Sequence, residues 1–189
     1  DRGFERYNAG FHPPQPGESR YHSVERRGNQ VVAQASTWLA QNTHYPFFLW
    51  VHLYDPHAPY EAPPPFSARR GPPYDQEIAY TDAQIGRFLE FLRACKIYDN
   101  ALIIVVADHG EGLGAHGEET HGVFLYDETI RVPLLVKLPE NRMAGKRVTG
   151  RVRLVDVAPT VLEVAALPVP SQIEGQSLLR VARTNADQP

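Results

Sequence analysis

The sequence has little cysteine and no long hydrophobic run. One cysteine among 189 residues, Cys95, excludes a disulfide bond within the chain. It leaves the cellular compartment open, because many exported proteins also lack disulfides. The longest apolar runs, PFFLWV and ALIIVVA, are far shorter than the roughly 20 residues that a transmembrane helix requires. We therefore predict no membrane span in this segment.

A strong excess of charge of one sign is also lacking. Lys and Arg number 19 against 22 Asp and Glu, which gives a formal net charge of −3. Nucleic acids and anionic membranes bind basic surfaces, so this balance gives no electrostatic case for either partner. A small-molecule ligand is the better expectation. The length suits one domain with a sizeable core.

What the sequence does contain is an alternation of helical and strand patterns. Apolar spacing predicts helices over 23–42, 75–96 and 155–167, and Ile78, Ile85, Leu89 and Leu92 are the expected buried face of the second. Cys95 should adjoin that face in the core. Apolar runs predict strands over 46–54, 101–107 and 131–139, with a weaker one over 147–154. Seven prolines in 55–73 predict an ordered surface loop.

This alternation predicts an α/β sheet sandwich. Residues 101–107 are apolar at every position, as expected for a central strand that is covered on both faces. Sheets of this kind place ligands at the carboxyl ends of their strands. One domain is expected over 1–180, and residues 181–189 are expected to form a frayed tail.

A stretch rich in histidine and glycine, ADHGEGLGAHGEETHG, follows the second predicted strand. Asp108 and His109 stand at the strand terminus, where a carboxylate and an imidazole could bind one cation. The alternative is a turn that caps the next segment by side-chain hydrogen bonds. The spacing of the three histidines matches no self-contained zinc site, so any further ligands must come from elsewhere. The default reading of the glutamates in this loop is as solvated charges: Glu111, Glu118 and Glu119.

A second histidine group, HLYDPHAPY, surrounds the end of the first predicted strand. His52 lies inside that strand and is expected to be a hydrogen-bonded core residue. His57 follows the strand between Pro56 and Pro59, which stiffen its backbone. A histidine held in this way could protonate a leaving oxygen or bind an anionic substrate.

At these residues the chain resembles the sulfatase family of the alkaline phosphatase superfamily. Six segments occur in the order that the family uses, from about Gly3 to Leu179: PFFLWVHLYDPHAPY, YDQEIAYTDAQIGRFLEFL, ALIIVVADHGEGLGAHGEETHG, RVPLLVKLP, VRLVDVAPTVLEVAALPVP and IEGQSLL. The resemblance implies an alkaline-phosphatase-like sheet sandwich with helices on both faces. The chain looks like the C-terminal portion of that domain.

The resemblance also implies roles for individual residues. Asp108 and His109 would be ligands of a divalent cation, with calcium expected and manganese, zinc or magnesium as alternatives. His57 would contact the ester and protonate the departing alcohol. His121 falls where many sulfatases place a lysine that binds the sulfate, so it is the expected anion contact. His116 is expected to be structural.

The family's nucleophile is absent from this sequence. Sulfatases carry an N-terminal half with an Asp-Asp pair and a Cys or Ser in an x-Pro-x-Arg motif, and that Cys or Ser becomes formylglycine. Cys95 is followed by KIYDN and does not match. The expected partners are therefore the N-terminal half of the domain, with its formylglycine, and a small-molecule or sugar sulfate ester. Export to a periplasm or beyond is common in the family, although no residue here indicates it.

The activity implied is metal-dependent hydrolysis of sulfate esters by the parent enzyme, the fragment alone being inactive. A phosphate or phosphonate ester hydrolase, or a phosphoethanolamine transferase, is the alternative on the same fold. A non-catalytic binding domain with structural histidines is the alternative from another class. In sulfatases, specificity comes from loops at the mouth of the site, which makes the segment EAPPPFSARRGPPY, with Arg69 and Arg70, a candidate rim.

Overall fold

A computed structural model describes residues 3–9, 16 and 25–184. Within these residues, helices outnumber strands. The elements are α1 (Gly28–Gln41), α2 (Pro73–Ala94), β1 (Ile103–Val106), α3 (Asp127–Ile130), β2 (Leu134–Lys137), α4 (Val157–Val164) and α5 (Leu178–Thr184), with 3-10 turns at Phe66–Ala68, Tyr98–Asn100, Ala115–Gly117, Pro139–Asn141 and Leu154–Asp156. No helix among the described residues is long and apolar enough to cross a membrane.

The chain divides into two units, 1–98 and 99–189. In the first unit, α1 packs against α2. The predicted first helix begins later than expected, at Gly28, and its buried side chains are Val32 and Leu39. A hydrogen-bond pair fixes this start to α2, because the Tyr80 hydroxyl accepts the Asn29 backbone N–H and donates to Asn29 Oδ1, both at 2.9 Å. Most of the predicted entry loop, 1–20, lies outside the described residues.

The buried face of α2 differs from the predicted one. Its buried residues are Glu77, Tyr80, Gln84 and Leu92, whereas Ile78 is 43 % exposed and Cys95 is only half-buried. The predicted stripe was apolar, but the real one is mostly polar. The reason is that these polar groups find hydrogen-bond partners in neighbouring backbone and side chains, which offsets the cost of burying them.

The first predicted strand, 46–54, forms no sheet ladder among the described residues. Three of its aromatic side chains are exposed, with Phe48 at 57 % and Trp50 at 67 %. His52 is exposed as well, so its expected core position is wrong. A strand is defined by backbone bonds to a neighbour, and apolar composition alone does not provide that neighbour.

In the second unit, β1 and β2 form an antiparallel pair in which Ile103 faces Lys137 and Val106 faces Leu134. These strands were predicted from their apolar runs, and both are present. The expectation that the first would be covered on both faces is wrong in this structure, because all four residues of β1 are only half-buried. The weaker predicted strand, 147–154, is not a strand, and its last residue begins a 3-10 turn.

A buried aspartate organises the C-terminal helices. Asp156 is 0 % exposed; its Oδ2 accepts the Arg153 backbone N–H at 2.7 Å and its Oδ1 accepts that of Gln176 at 2.9 Å. It precedes α4, as the sequence predicts. Helix α5 continues to Thr184 with Val181 2 % exposed, so the expected frayed tail does not begin at 181. Residues 185–189 lie outside the described residues.

Candidate active site

A cavity of about 210 Å³ lies beside His57 in the first unit. His57 is 24 % exposed, and the Glu25 carboxylate oxygen Oε1 lies 3.9 Å from its Nδ1. The side chains that line the cavity around this histidine are mostly polar: Glu25, Arg27, Tyr54, Asp55 and Glu77. A concave polar pocket next to a histidine suits a small polar ligand that exchanges a proton with the protein.

The ring of His57 is held so that its two nitrogens have different roles. Nδ1 lies 2.7 Å from the carbonyl oxygen of Ala58, and this oxygen can only accept, so Nδ1 carries a proton. Nε2 lies 3.3 Å from the Tyr54 hydroxyl, and the Tyr54 ring packs against the imidazole with centroids 4.4 Å apart. Nε2 is therefore the atom through which this histidine can gain or lose a proton.

Two buried carboxylates support the backbone around His57. Glu77 is 2 % exposed and Asp55 is 9 % exposed, and Arg27 Nη1 lies 3.4 Å from an oxygen of each. Burial raises the pKa of Glu77, and the charge of Asp55 adds to this effect. Hydrogen bonds from the Glu61 and His57 amides, together with Arg27, lower the pKa but do not cancel the rise.

Asp108 and His109 lie directly after β1 in the second unit. The Asp108 side chain is 77 % exposed and that of His109 is 43 % exposed. Nδ1 of His109 lies 2.9 Å from the Gly110 carbonyl oxygen, so it is the protonated nitrogen, and Nε2 has the lone pair. Histidines that bind metals commonly donate their other N–H in this way.

The same two side chains can supply two ligands to one cation. Nε2 of His109 lies 3.8 Å from Oδ1 of Asp108. At this separation both atoms could be ligands of one cation, since metal–ligand distances are about 2.0–2.6 Å. Across the part of the chain that the structure describes, no group of three His, Cys, Asp or Glu side chains could hold a metal ion. Within the described residues, Asp108 and His109 therefore do not complete a metal site.

His121 lies against His109, with the two rings stacked at a centroid distance of 3.9 Å and an angle of 30°. Its Nδ1 donates to Oε1 of Glu111 at 3.2 Å, and the Glu111 side chain is 7 % exposed. The expectation of a solvated Glu111 is therefore wrong. The carboxylate is buried because it forms an ion pair or charge-assisted hydrogen bond with the imidazole, which also fixes the ring.

Backbone contacts close the loop that carries these histidines. Gly110 N–H donates to the Thr129 carbonyl at 2.8 Å, and Gly112 N–H donates to that of Thr120 at 2.7 Å. A Cβ atom at Gly110 would lie 2.0 Å from the Glu128 carbonyl oxygen, so only glycine fits.

Glu118 and His116 of the same loop contact other residues of the protein. Glu118 is 6 % exposed, again contrary to the expected solvated charge, because its Oε1 accepts the Val123 backbone N–H at 2.8 Å. Glu119 is exposed as expected. His116 stacks on Tyr126 at 3.9 Å.

Of the predicted site residues, His57 belongs to the first unit, and Asp108, His109 and His121 form one cluster in the second. Sequence reasoning missed Glu77 and misassigned Glu111. A signal was available for Glu77, since it precedes Tyr80 and Gln84 at helical spacing. Nothing in the sequence marks Glu111 as different from Glu119.

Comparison with known proteins matches residues 6–167 to the model of the Sulfatase family. Over 116 residues the chain is 35 % identical to N-acetylglucosamine-6-O-sulfatase of Bacteroides thetaiotaomicron. The match covers 61 % of this chain and 21 % of that protein. The chain thus spans about a fifth of the length of this relative.

Solved structures give the fold. A protein solved with its substrate D-glucosamine-2-N,6-O-disulfate is 34 % identical, with a TM-score of 0.54, over 62 % of this chain and 24 % of that one. The phosphonate monoester hydrolase of Agrobacterium radiobacter is 20 % identical, with a TM-score of 0.76, over 95 % and 46 %. The fold class is therefore α/β and alkaline-phosphatase-like.

Proposed function

The chain belongs to the sulfatase family, and on this premise we propose that it is the part of a sulfuric ester hydrolase that binds the metal and protonates the leaving group. The observation that carries the proposal is that the family match, 6–167, includes both histidine loops. Each of these loops holds its imidazole in a defined tautomer through a backbone carbonyl, at Ala58 and at Gly110.

Asp108 and His109 would hold the divalent cation, with calcium as the first candidate and manganese, zinc or magnesium as alternatives. When bound, the cation would act as a Lewis acid on the sulfate oxygens and orient the ester. A carboxylate beside a neutral imidazole is a mixed donor set that several of these cations accept. The remaining ligands would come from a part of the domain outside this sequence.

His57 would act on the leaving oxygen through Nε2. Cleavage of the ester sulfur–oxygen bond leaves negative charge on the alcohol oxygen, and a proton from Nε2 neutralises it. Nδ1 stays bound to the Ala58 carbonyl throughout, which keeps the ring in place. Such an acid contributes about a hundredfold or more to the rate.

His121 would contact the anionic group of the ester. Its Nδ1 is occupied by Glu111, so Nε2 is the atom that could donate to a sulfate oxygen. A buried carboxylate behind an imidazole orients it in the same way in many enzyme sites.

The nucleophile would come from the N-terminal half of the sulfatase domain, as formylglycine. The chain covers 46 % of the phosphonate monoester hydrolase and 21 % of the sugar sulfatase, which agrees with a partial domain. The exposed aromatic segment 46–54 supports the same interpretation, because apolar strands of this kind are normally paired and covered. On this reading, the rest of the domain is the partner of that segment.

We extend the proposal to sugar sulfates as the substrate class. The two relatives of highest identity named above are a sulfatase for N-acetylglucosamine 6-sulfate groups by name and a protein crystallised with a sulfated glucosamine. The loop with Arg69 and Arg70, both exposed, is the proposed rim for such an anionic sugar.

The test is turnover by the complete enzyme on a matched pair of esters, 4-nitrophenyl sulfate and 4-nitrophenyl phosphate, with and without added divalent cations. We expect hydrolysis of the sulfate to dominate and to be lost after chelation. Preference for the phosphate would refute the sulfatase assignment, and turnover unaffected by chelation would refute the role of the metal pair.

A second candidate is hydrolysis of phosphonate or phosphate esters. It is favoured by the fold match to a phosphonate monoester hydrolase, which covers 95 % of this chain. The same residues would serve, because phosphoryl transfer also needs a cation and a leaving-group acid. Adding phenyl phosphonate monoester to the substrate pair above distinguishes it from the sulfatase.

A further inference from the structure

Glu77 is a charged side chain in a place where a soluble helix normally buries an apolar one. It lies in the first turns of α2 and is 2 % exposed. Burying a carboxylate is costly unless hydrogen bonds replace the lost water. The hydrogen-bond partners of Glu77 therefore indicate its role in this helix.

Both oxygens of Glu77 bind the loop that carries His57. Oε2 accepts the His57 backbone N–H at 3.1 Å, and Oε1 accepts the Glu61 backbone N–H at 2.8 Å. These amides mark the two ends of the segment 57–61. A single side chain from a long helix thus fixes both ends of a five-residue segment whose first residue is the candidate acid.

The charges around Glu77 tie this anchor to α1. Arg27, which immediately precedes α1, lies 3.4 Å from Oε1 of Glu77 and 3.4 Å from Oδ1 of Asp55. Oδ2 of Asp55 accepts the Gly28 backbone N–H at 2.8 Å. Arg27 and Asp55 thereby join the beginning of α1 to the end of the 46–54 segment and to α2.

Glu77 does not have the geometry of an acid or base that acts on substrate itself. Both of its oxygens are engaged by backbone amides and by Arg27, and its side chain is almost fully buried. Its action on a ligand in the cavity would pass through the loop that it holds. The ring of His57 depends on that loop, since its Nδ1 binds the carbonyl of Ala58 within it.

We propose that Glu77 is a positioning residue for the leaving-group histidine, holding the 57–61 segment so that Nε2 of His57 meets the departing oxygen. The inference rests on the proposed role of His57. It adds a residue of α2 to the machinery of the reaction, one that would act through the loop it holds.

The test compares four variants of the complete enzyme: Glu77→Ala, Glu77→Gln, His57→Ala and the double variant His57→Ala with Glu77→Ala. Glu90→Gln, an exposed glutamate on the same helix, is the control. The rates are measured on a nitrophenyl sulfate, which has a good leaving group, and on an alkyl or sugar sulfate, which requires the acid.

We expect Glu77→Ala to lower kcat on the alkyl or sugar sulfate on the order of tenfold, with a much smaller change on the nitrophenyl sulfate. Glu77→Gln should show an intermediate loss, because an amide offers one acceptor oxygen to two N–H donors. In the His57→Ala background, the loss of Glu77 should change kcat little. Amide hydrogen exchange at His57 and Glu61 should quicken in the Glu77 variants and not in Glu90→Gln.

Equal losses on both esters, or losses that multiply fully with those of His57→Ala, would overturn the positioning role while leaving the proposed function intact. A His57→Ala variant without any leaving-group effect would instead refute the proposed function, and the inference with it. If Glu77→Ala does not fold, Glu77→Gln, which keeps the size of the side chain, decides by the same measurements.

Discussion

The two histidine loops are held in place by different means. The His57 segment is held by a side chain, the Glu77 carboxylate, which accepts two of its backbone amides. The loop with His109 and His121 is closed by backbone-to-backbone bonds at Gly110 and Gly112. A side-chain anchor can be removed without changing the backbone it holds, whereas a close backbone contact is broken only by adding atoms.

The loops differ in exposure as well. His57 lines a cavity of its own unit together with two buried carboxylates, those of Asp55 and Glu77. Asp108, in contrast, is 77 % exposed, and within the residues that the structure describes only His109 joins it as a candidate ligand. Under the proposed function, this chain would hold the acid in place by its own contacts, whereas the metal pair would need further ligands.

The largest effect is expected from the metal pair. Asp108→Ala removes an anionic ligand, so metal-dependent activity of the complete enzyme should fall by more than about a hundredfold. Cation affinity, measured by calorimetry, should fall in parallel. Asp82→Ala, which changes an exposed aspartate on α2, is the control and should retain both. Normal turnover by Asp108→Ala would contradict the assignment of Asp108 as a metal ligand.

The next effect concerns His57. His57→Ala should lower kcat about a hundredfold or more on alkyl or sugar sulfates, and much less on nitrophenyl sulfate, whose leaving group needs no proton. His44→Ala, at an exposed position, serves as the reference. An equal loss on both esters would mean that His57 only positions the substrate.

The backbone closure of the second loop can be broken by one methyl group. Gly110→Ala places a Cβ 2.0 Å from the Glu128 carbonyl oxygen. We expect a loss of about 2 kcal/mol in the free energy of unfolding, measured by urea denaturation. Gly86→Ala, on α2 with no atom within 4 Å of the new Cβ, should be neutral or slightly stabilising. Equal stability of the two variants would contradict the close contact.

A smaller effect is expected at Glu111, the partner of His121. Glu111→Ala frees the imidazole, so KM for the sulfate ester should rise on the order of tenfold while kcat on a given ester changes less. Glu119→Ala, an exposed glutamate in the same loop, is the matched control. If both substitutions gave the same KM, His121 would not be held by Glu111.

The smallest effect is a pH dependence at Glu77. Burial raises its pKa above 4.5, so the native state binds this proton more tightly than the unfolded chain does. The stability that protonation contributes is complete below pH 4.5 and is lost as the pH rises through the raised pKa. Glu77→Gln lacks this titration. The difference in free energy of unfolding, wild type minus variant, should therefore fall over that range.

Denaturation at several pH values checks this slope, with Glu90→Gln as the control for an exposed carboxyl. The neighbouring charges act in opposite directions, since the Asp55 carboxylate raises the pKa of Glu77 and the Arg27 guanidinium lowers it. A difference that grows with pH would contradict the burial argument.

Local patterns predicted much of the chain correctly. Both strands of the second unit were indicated by apolar runs, and α2 and α4 by helical spacing and by Asp156 and Pro159 at the start of α4. These features depend on residues near one another in sequence, where the physics of period and capping is strong. Asp108 and His109 were expected together at the end of a strand for the same reason, whereas the stacking of His121 on His109 was not predicted.

Errors arose where burial or pairing depended on contacts that spacing and composition do not specify. The 46–54 run was expected to be a strand. A β-ladder requires a neighbouring strand, and the composition of one segment does not identify that neighbour. Glu111 and Glu118 were expected in solvent, because a carboxylate is rarely buried without a partner, and the partners were a histidine ring and backbone amides. Ile78 and His52 were expected to be buried, but both are exposed.

By itself the sequence determined the family and the α/β class, and it named the candidate site residues, because motifs and periodicity are properties of short segments. Only the tertiary structure decided which carboxylates are buried and what they hold. Glu77 and Glu90 are both glutamates on α2, but one accepts two amides of the His57 segment and the other faces water. That distinction comes from long-range packing. A carboxylate can be buried only where the fold places hydrogen-bond donors beside it, because these offset the loss of water.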